Sequence, residues 1–80
     1  MRSAPVSDRF VSEYLSSNSS HPDRPWTVGT FLARRLKGRA YNYKTHYERR
    51  ILQRLAALES LGQVRRVRSA GGRTAWLPVD

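Results

Sequence analysis

Apolar residues recur at helical spacing in three segments of the chain. In the first segment they share one helical face: Phe10, Val11, Tyr14 and Leu15. Ser7 is a favourable N-cap residue for such a helix. We therefore predict helix 1 over residues 8–17, after a frayed start at residues 1–6. The following stretch, residues 16–25, is rich in Ser and Pro and predicts a polar loop.

The second helical segment follows Pro25-Trp26, a pair that favours extended backbone. Its apolar stripe consists of Val28, Phe31, Leu32 and Leu36. Thr27 is a typical N-cap residue, and Gly38 is a typical C′ residue that ends a helix. The pattern predicts helix 2 over residues 28–37.

The third segment is the longest run without Gly or Pro. Its apolar stripe consists of Ile51, Leu55 and Leu58. The helix is predicted to begin at Asn42 or at Thr45, after a short connector at residues 39–41. It is predicted to end at Leu61, because Gly62 supplies the stop.

After Gly62 the period changes from that of a helix to that of a strand. Residues 64–68 and 74–79 are short runs rich in β-prone side chains. The loop between them, residues 69–72, contains Gly71-Gly72 and accommodates positive φ angles. The sequence predicts a C-terminal β-hairpin, with Pro78 at the end of its last strand.

Five aromatic residues fall at positions that predict burial in the core: Phe10, Tyr14, Trp26, Phe31 and Trp76. Tyr47 lies near the stripe of helix 3 and is expected to be buried as well. Tyr41 and Tyr43 allow two interpretations, since they are suited either to pack at the junction of helices 2 and 3 or to donate hydrogen bonds to phosphates.

The order of elements is helix, extended piece, helix, turn, long helix and hairpin. Together with the segment Leu55-Ala-Ala-Leu58-Glu-Ser-Leu61-Gly62 and the strand that follows, this order resembles the winged-helix variant of the helix-turn-helix in small bacterial and phage regulators. The resemblance implies one α+β domain over residues 1–80, with three helices and a C-terminal hairpin as the wing. It further implies sequence-specific binding of double-stranded DNA, with helix 3 in the major groove, by a regulator of transcription or replication.

Composition narrows the function classes. The chain has no Cys, which excludes disulfides and thiolate metal sites. No apolar run is long enough to cross a membrane, and the N-terminus has no apolar core typical of a secretion signal. The two His residues have no metal-ligand spacing, and no phosphate-binding loop motif is present. We therefore expect neither an enzyme nor a metal or cofactor, and we expect a cytoplasmic protein.

The net charge of +9 is concentrated in one half of the chain. Cations and acids balance over residues 1–33, whereas residues 34–73 carry 12 Lys or Arg against Glu48 and Glu59. A confined excess of one sign indicates a polyanionic partner. A solvated basic surface that serves only solubility is the competing interpretation.

The face of helix 3 opposite its apolar stripe contains residue types that suit base edges, because Arg contacts guanine with two donors and Asn or Gln contacts adenine. The candidates for base contacts are Asn42, Thr45, His46, Arg49 and Gln53. The competing interpretation is the ordinary polar face of an amphipathic helix. The absence of acids on this face favours base contact.

Cations on helix 2, in the connector, beside the base-contact face and on the hairpin are suited to phosphates. The candidates for backbone contacts are Arg35, Lys37, Arg39, Lys44, Arg50, Arg65, Arg66, Arg68 and Arg73. Strand alternation places Arg66 and Arg68 on one side of the hairpin and Arg65 on the other. A Gly-Gly tip flanked by Arg is suited to approach a sugar-phosphate backbone or a narrow minor groove.

Two further interpretations remain open at this point. The domain would alternatively be an interaction module or phage-type inhibitor that docks a host nucleic-acid enzyme through its basic face. The same face would also suit RNA. Helix 1 is the element with room for a second copy, so a homodimer through helix 1 is a further option.

Overall fold

The computed structural model of the protein describes residues 6–36 and 38–79, and for residues 6, 7, 39 and 40 it describes the backbone only. The described residues form three α-helices, one 3₁₀ helix and a C-terminal antiparallel hairpin, which together make an α+β fold. The elements are α1 (Val6–Ser20), α2 (Val28–Arg35), the 3₁₀ helix (Gly38–Tyr43), α3 (Lys44–Ser60), β1 (Val64–Arg68) and β2 (Thr74–Pro78).

Helix α1 is longer than its apolar stripe predicts. It already includes Val6 and Ser7, so Ser7 is not its N-cap, and it continues to Ser20 through the predicted polar loop. In the added turn Asn18 is buried and hydrogen-bonded to the backbone of Trp26 and Trp76, and the Ser20 hydroxyl donates to the Ser16 carbonyl at 3.2 Å. The loop is therefore confined to residues 21–27.

Helix α2 begins as predicted and ends two residues early. The Thr27 hydroxyl accepts a hydrogen bond from the Thr30 amide at 3.1 Å, which confirms the N-cap. Leu36 leaves the helix in extended conformation because its side chain is buried in the core. Gly38 is therefore not the C′ residue. Instead, with φ of +62°, it begins the 3₁₀ helix that occupies the predicted connector.

Helix α3 begins at Lys44, between the two predicted starts. Its C-terminus forms a Schellman motif: the Gly62 amide donates to the Glu59 carbonyl at 2.9 Å, and the Gln63 amide donates to the Leu58 carbonyl at 2.9 Å. This motif needs a residue with positive φ after the C-cap, and Gly62 provides it at +75°. The predicted stop is confirmed.

The hairpin follows at once, with β1 antiparallel to β2 and Arg66 opposite Trp76. Its loop covers residues 69–73, one residue more than predicted. The Ser69 amide donates to the Arg73 carbonyl at 2.7 Å and closes the loop. Pairing also extends past β2, where the Val79 amide donates to the Gln63 carbonyl at 2.9 Å.

The core lies where the three helices meet one face of the hairpin. Its buried members are Phe10, Val11, Tyr14, Val28, Phe31, Leu32, Leu36, Ile51, Leu55, Val64 and Trp76. Phe31 makes edge-to-face contacts with Phe10 and Tyr14, at centroid distances of 6.5 and 5.5 Å. Tyr47 packs against Phe10 at 5.4 Å. The prediction that Trp26 belongs to the core is wrong, because 36% of this residue is exposed.

Candidate nucleic-acid interface

The outward face of α3 contains four of the five residues proposed for base contacts. Ile51 and Leu55 are fully buried and fix which side of the helix points inward. The opposite side exposes Thr45, His46, Arg49 and Gln53. These four side chains form a continuous polar face without an acid, and we call this set the α3 face.

The fifth residue, Asn42, does not belong to this face. It lies in the 3₁₀ helix ahead of α3, where the angular spacing of an α-helix does not apply. Asn42 is exposed there, between Tyr41 and Tyr43, which are 49% and 59% exposed. Each of these two tyrosines is therefore packed in part and exposed in part, and Tyr43 contacts Tyr47 at a centroid distance of 6.5 Å.

The hairpin arginines divide into free and engaged groups. Arg65 and Arg73 are exposed at opposite ends of the hairpin. Arg68 is exposed and donates to the Gly72 carbonyl at 3.1 Å, which holds it beside the loop. Arg66 instead lies over the Trp76 ring at 5.0 Å and donates to Glu59 at 3.1 Å. Arg66 therefore ties the hairpin to α3.

Two other cations proposed for phosphate contact are engaged inside the domain. Arg35 forms a two-point contact with Glu13 of α1, with N–O distances of 2.6 and 3.1 Å. The Arg35 hydrogen bond, with its charge and that of Arg9, holds the pKa of Glu13 below its usual value against the opposing effect of desolvation. Lys44 stands 3.8 Å from Glu48, its neighbour one turn along α3.

The remaining backbone candidates, Arg50, Lys37 and Arg39, have two different outcomes. Arg50 is exposed beside the α3 face. Lys37 lies outside the described residues, and so does the side chain of Arg39. Arg54, at the edge of α3, lies 3.5 Å from Asp8 and joins α3 to α1. Arg50 therefore marks the limit of the free basic surface on this side of α3.

The first turn of α2 brings the start of α3 and the hairpin loop together. A Cβ placed on Gly29 would stand 3.2 Å from Glu48 Oε2 and 3.5 Å from Lys44 Nζ, so α3 packs closely there. On its other side the same turn borders a groove of about 340 Å³, lined by Thr27, Thr30, residues 69–71 and Arg73. The start of α3 and the hairpin loop thus flank one helical turn.

A buried polar pair on α1 holds this arrangement together. The Tyr14 hydroxyl donates to the Trp26 carbonyl at 2.7 Å and accepts from the Trp76 amide at 3.1 Å. Asn18 accepts from the Trp26 amide at 2.9 Å and donates to the carbonyls of Trp26 and Trp76 at 3.2 and 2.9 Å. We call Tyr14 and Asn18 the α1 clamp. It fixes the segment before α2 against strand β2.

Sequence reasoning missed the role of Asn18. The available signal was its spacing, because Asn18 follows Tyr14 by four residues and continues the inward face of α1. Burial raises the pKa of Tyr14 to about 12, with an opposing contribution from the Trp76 amide. Tyr14 therefore remains a neutral donor at physiological pH.

Within residues 6–36 and 38–79, no group of three His, Cys, Asp or Glu side chains is placed to hold a metal ion. Among the same residues, no helix is long and apolar enough to cross a membrane. No family model, curated protein or solved structure gives a significant match to this chain.

Proposed function

We propose that the chain is a winged-helix domain that binds double-stranded DNA. The α3 face enters the major groove, and the hairpin acts as the wing on the adjacent sugar-phosphate backbone. Thr45, His46, Arg49 and Gln53 contact base edges, while Arg50, Arg65, Arg68 and Arg73 contact phosphates. The role that fits best is a small regulator of transcription or replication.

The observation that carries the proposal is the distribution of ion pairs. Within the described residues, five arginines on α3 and the hairpin have no acid within ion-pair distance: Arg49, Arg50, Arg65, Arg68 and Arg73. The acids near them, Glu48 and Glu59, contact other cations at the inner edges of α3. A surface on which these five arginines are unpaired, while neighbouring cations form ion pairs with acids of the domain, is suited to bind a polyanion.

The coarse architecture supports the same conclusion. The two helices and the turn before the hairpin occur in the order of a helix-turn-helix, and the hairpin follows the longer helix directly. The extended segment before α2 lies against β2 through the α1 clamp. Here side chains, rather than a backbone ladder, join the segment to the sheet.

The test is a salt titration of binding to a duplex. If the four arginines assigned to phosphates contact them, log affinity should fall against log salt with a slope of about −3.6. Changing Arg65 and Arg73 together to Ala should make the slope shallower by about two. Arg9→Ala is the matched control for charge, because Arg9 lies on α1 beside Glu13 and should leave the slope unchanged.

Three outcomes would overturn the proposal. A flat salt response would exclude a phosphate-bound arginine surface. Capture of a protein partner that survives nuclease treatment, by a chain that shows no duplex binding, would instead assign the basic face to an interaction module. Tighter binding to RNA than to duplex DNA of the same sequence would reassign the nucleic acid.

A further inference from the structure

Trp26 lies outside the interface proposed above and differs from the other tryptophan of the chain. Trp76 is only 4% exposed, and its ring belongs to the core. Trp26 stands just before α2, in the half of the chain where charges balance, and its ring remains accessible. Tryptophan is enriched at binding interfaces, because its large ring is apolar and its N–H is a donor.

The environment of Trp26 is a pair of grooves. One is the groove of about 340 Å³ shared with the hairpin loop and Arg73. The other has a volume of about 210 Å³ and is lined by Ser17, Asn18, His21 and Arg24. Trp26 lines both grooves, so its ring lies at their common border.

Cations surround this ring. The Arg34 guanidinium lies over it, with Cζ 5.1 Å from the ring centroid. Arg24 and Arg73 line the second and first groove respectively. Within the described residues, no acid lies within ion-pair distance of these three arginines. The combination of an accessible aromatic face and free arginines is the chemistry of binding to single-stranded nucleic acid.

The backbone of Trp26 is held by contacts that do not involve its own side chain. The α1 clamp holds the amide and the carbonyl of Trp26 through Asn18 and Tyr14. The indole is therefore presented by a rigid backbone, which lowers the entropic cost of stacking a ligand on it. A change of the side chain leaves these backbone contacts in place.

We propose that Trp26 stacks an unpaired DNA nucleotide next to the bound duplex. Bases inside a duplex expose only their edges, so a stacking surface requires a base whose face is free. The groove beside Trp26 is bordered by the hairpin loop, which the proposed function places on the duplex backbone. A single strand that leaves the duplex there passes over Trp26, with Arg24 of the second groove available to its phosphates. The inference rests on the proposed function, and the ligand it names is a tailed or forked duplex.

The experiment compares a blunt duplex with the same duplex carrying a single-stranded tail at either end. The protein should bind one of the tailed duplexes about tenfold more tightly than the blunt one. Trp26→Leu keeps apolar bulk at the site and should remove this preference while leaving affinity for the blunt duplex unchanged. Trp26→Phe should restore part of it, because a phenyl ring still stacks.

Fluorescence supplies a second measurement. Because Trp76 is buried, quenching that depends on the tail should come from Trp26 and should be lost in Trp26→Leu. Equal affinity for blunt and tailed duplexes, with duplex binding retained, would overturn this inference and leave the proposed function intact. If the wild-type protein binds neither blunt nor tailed duplexes, the proposed function is overturned, and this inference, which rests on it, is overturned as well. A tail preference that persists in Trp26→Leu would also overturn the inference.

Discussion

Polar side chains are buried in the α1 clamp and exposed on the α3 face. In the clamp, Tyr14 and Asn18 are buried, and each forms hydrogen bonds with backbone groups of Trp26 and Trp76, on two other segments. On the α3 face, Arg49 and Gln53 point into solvent. Polar groups in the clamp contribute to the fold because burial makes an unsatisfied partner costly. Polar groups on the α3 face contribute little to the fold, since water satisfies them.

The arginines of the described residues also fall into two groups. Arg35, Arg54 and Arg66 connect elements of the fold by pairing with acids on other elements or across a turn. Arg49 and Arg65 make no such connection within the described residues, so their replacement should change binding without changing stability. The following predictions test this separation, from the largest expected effect to the smallest.

Asn18→Ala should destabilise the fold by about 3 kcal/mol, because it leaves the Trp26 amide and the Trp76 carbonyl without their side-chain partner. Urea denaturation of the variant and the wild type measures the difference. The matched control is Asn42→Ala, which removes an exposed amide from the 3₁₀ helix and should change stability by less than about 0.5 kcal/mol. Equal effects of the two variants would refute the distinction between the clamp and the surface.

Arg49→Ala should reduce discrimination between a preferred site and a scrambled duplex by about 2 kcal/mol, since a two-donor contact to guanine is lost. Arg65→Ala should weaken binding to both duplexes equally. The measurement is the affinity ratio for the two duplexes, after selection of bound fragments has supplied the preferred site. If Arg49→Ala lowers both affinities in parallel, α3 does not contact bases.

Tyr14→Phe should cost about 1.5 kcal/mol, because the Trp76 amide loses its acceptor and the Trp26 carbonyl loses one donor. Tyr14 should also make the stability of the fold depend on pH in the alkaline range. The pKa of Tyr14 is raised in the folded state, so its contribution is complete below pH 10 and is lost as the pH rises towards about 12.

Denaturation between pH 8 and pH 12 therefore distinguishes Tyr14 from the other titrating groups. The difference in stability between wild type and Tyr14→Phe should shrink above pH 10. A constant difference across that range would show that Tyr14 does not ionise with a raised pKa.

Glu13→Gln should have the smallest effect, because the contact with Arg35 lies at the surface. The pKa of Glu13 is lowered in the folded state, so the contribution of its charge is present above pH 4.5 and is lost on acidification. Affinity for duplex DNA should change by less than about twofold, since Arg35 faces α1. A large gain in affinity would place Arg35 in the interface.

Helix boundaries were predictable where a periodic apolar pattern was followed or preceded by a typical capping residue. Thr27 and Gly62 fixed the start of α2 and the end of α3, and both act through short-range backbone hydrogen bonds. The errors arose where a long-range contact overrode local preference. Asn18 keeps a Ser-rich segment helical, and the buried side chain of Leu36 ends α2 before Gly38.

The α3 face was predictable for the same reason as the helix, since helical spacing assigns Thr45, His46, Arg49 and Gln53 to the side opposite Ile51. Asn42 was misplaced because no sequence signal separated the 3₁₀ helix from α3. The engagement of Arg35 and Arg66 was not predictable, because their acidic partners lie on other elements, 22 and seven residues away.

The sequence by itself determined the order of the three α-helices and the hairpin, the confinement of the basic charge and the polar face of α3, because all of these depend on composition and local periodicity. Only the tertiary structure decided which arginines are free, where Trp26 lies and how α1 joins the hairpin. These properties depend on distances between segments far apart in the chain. Such distances are set by the packing of the whole core.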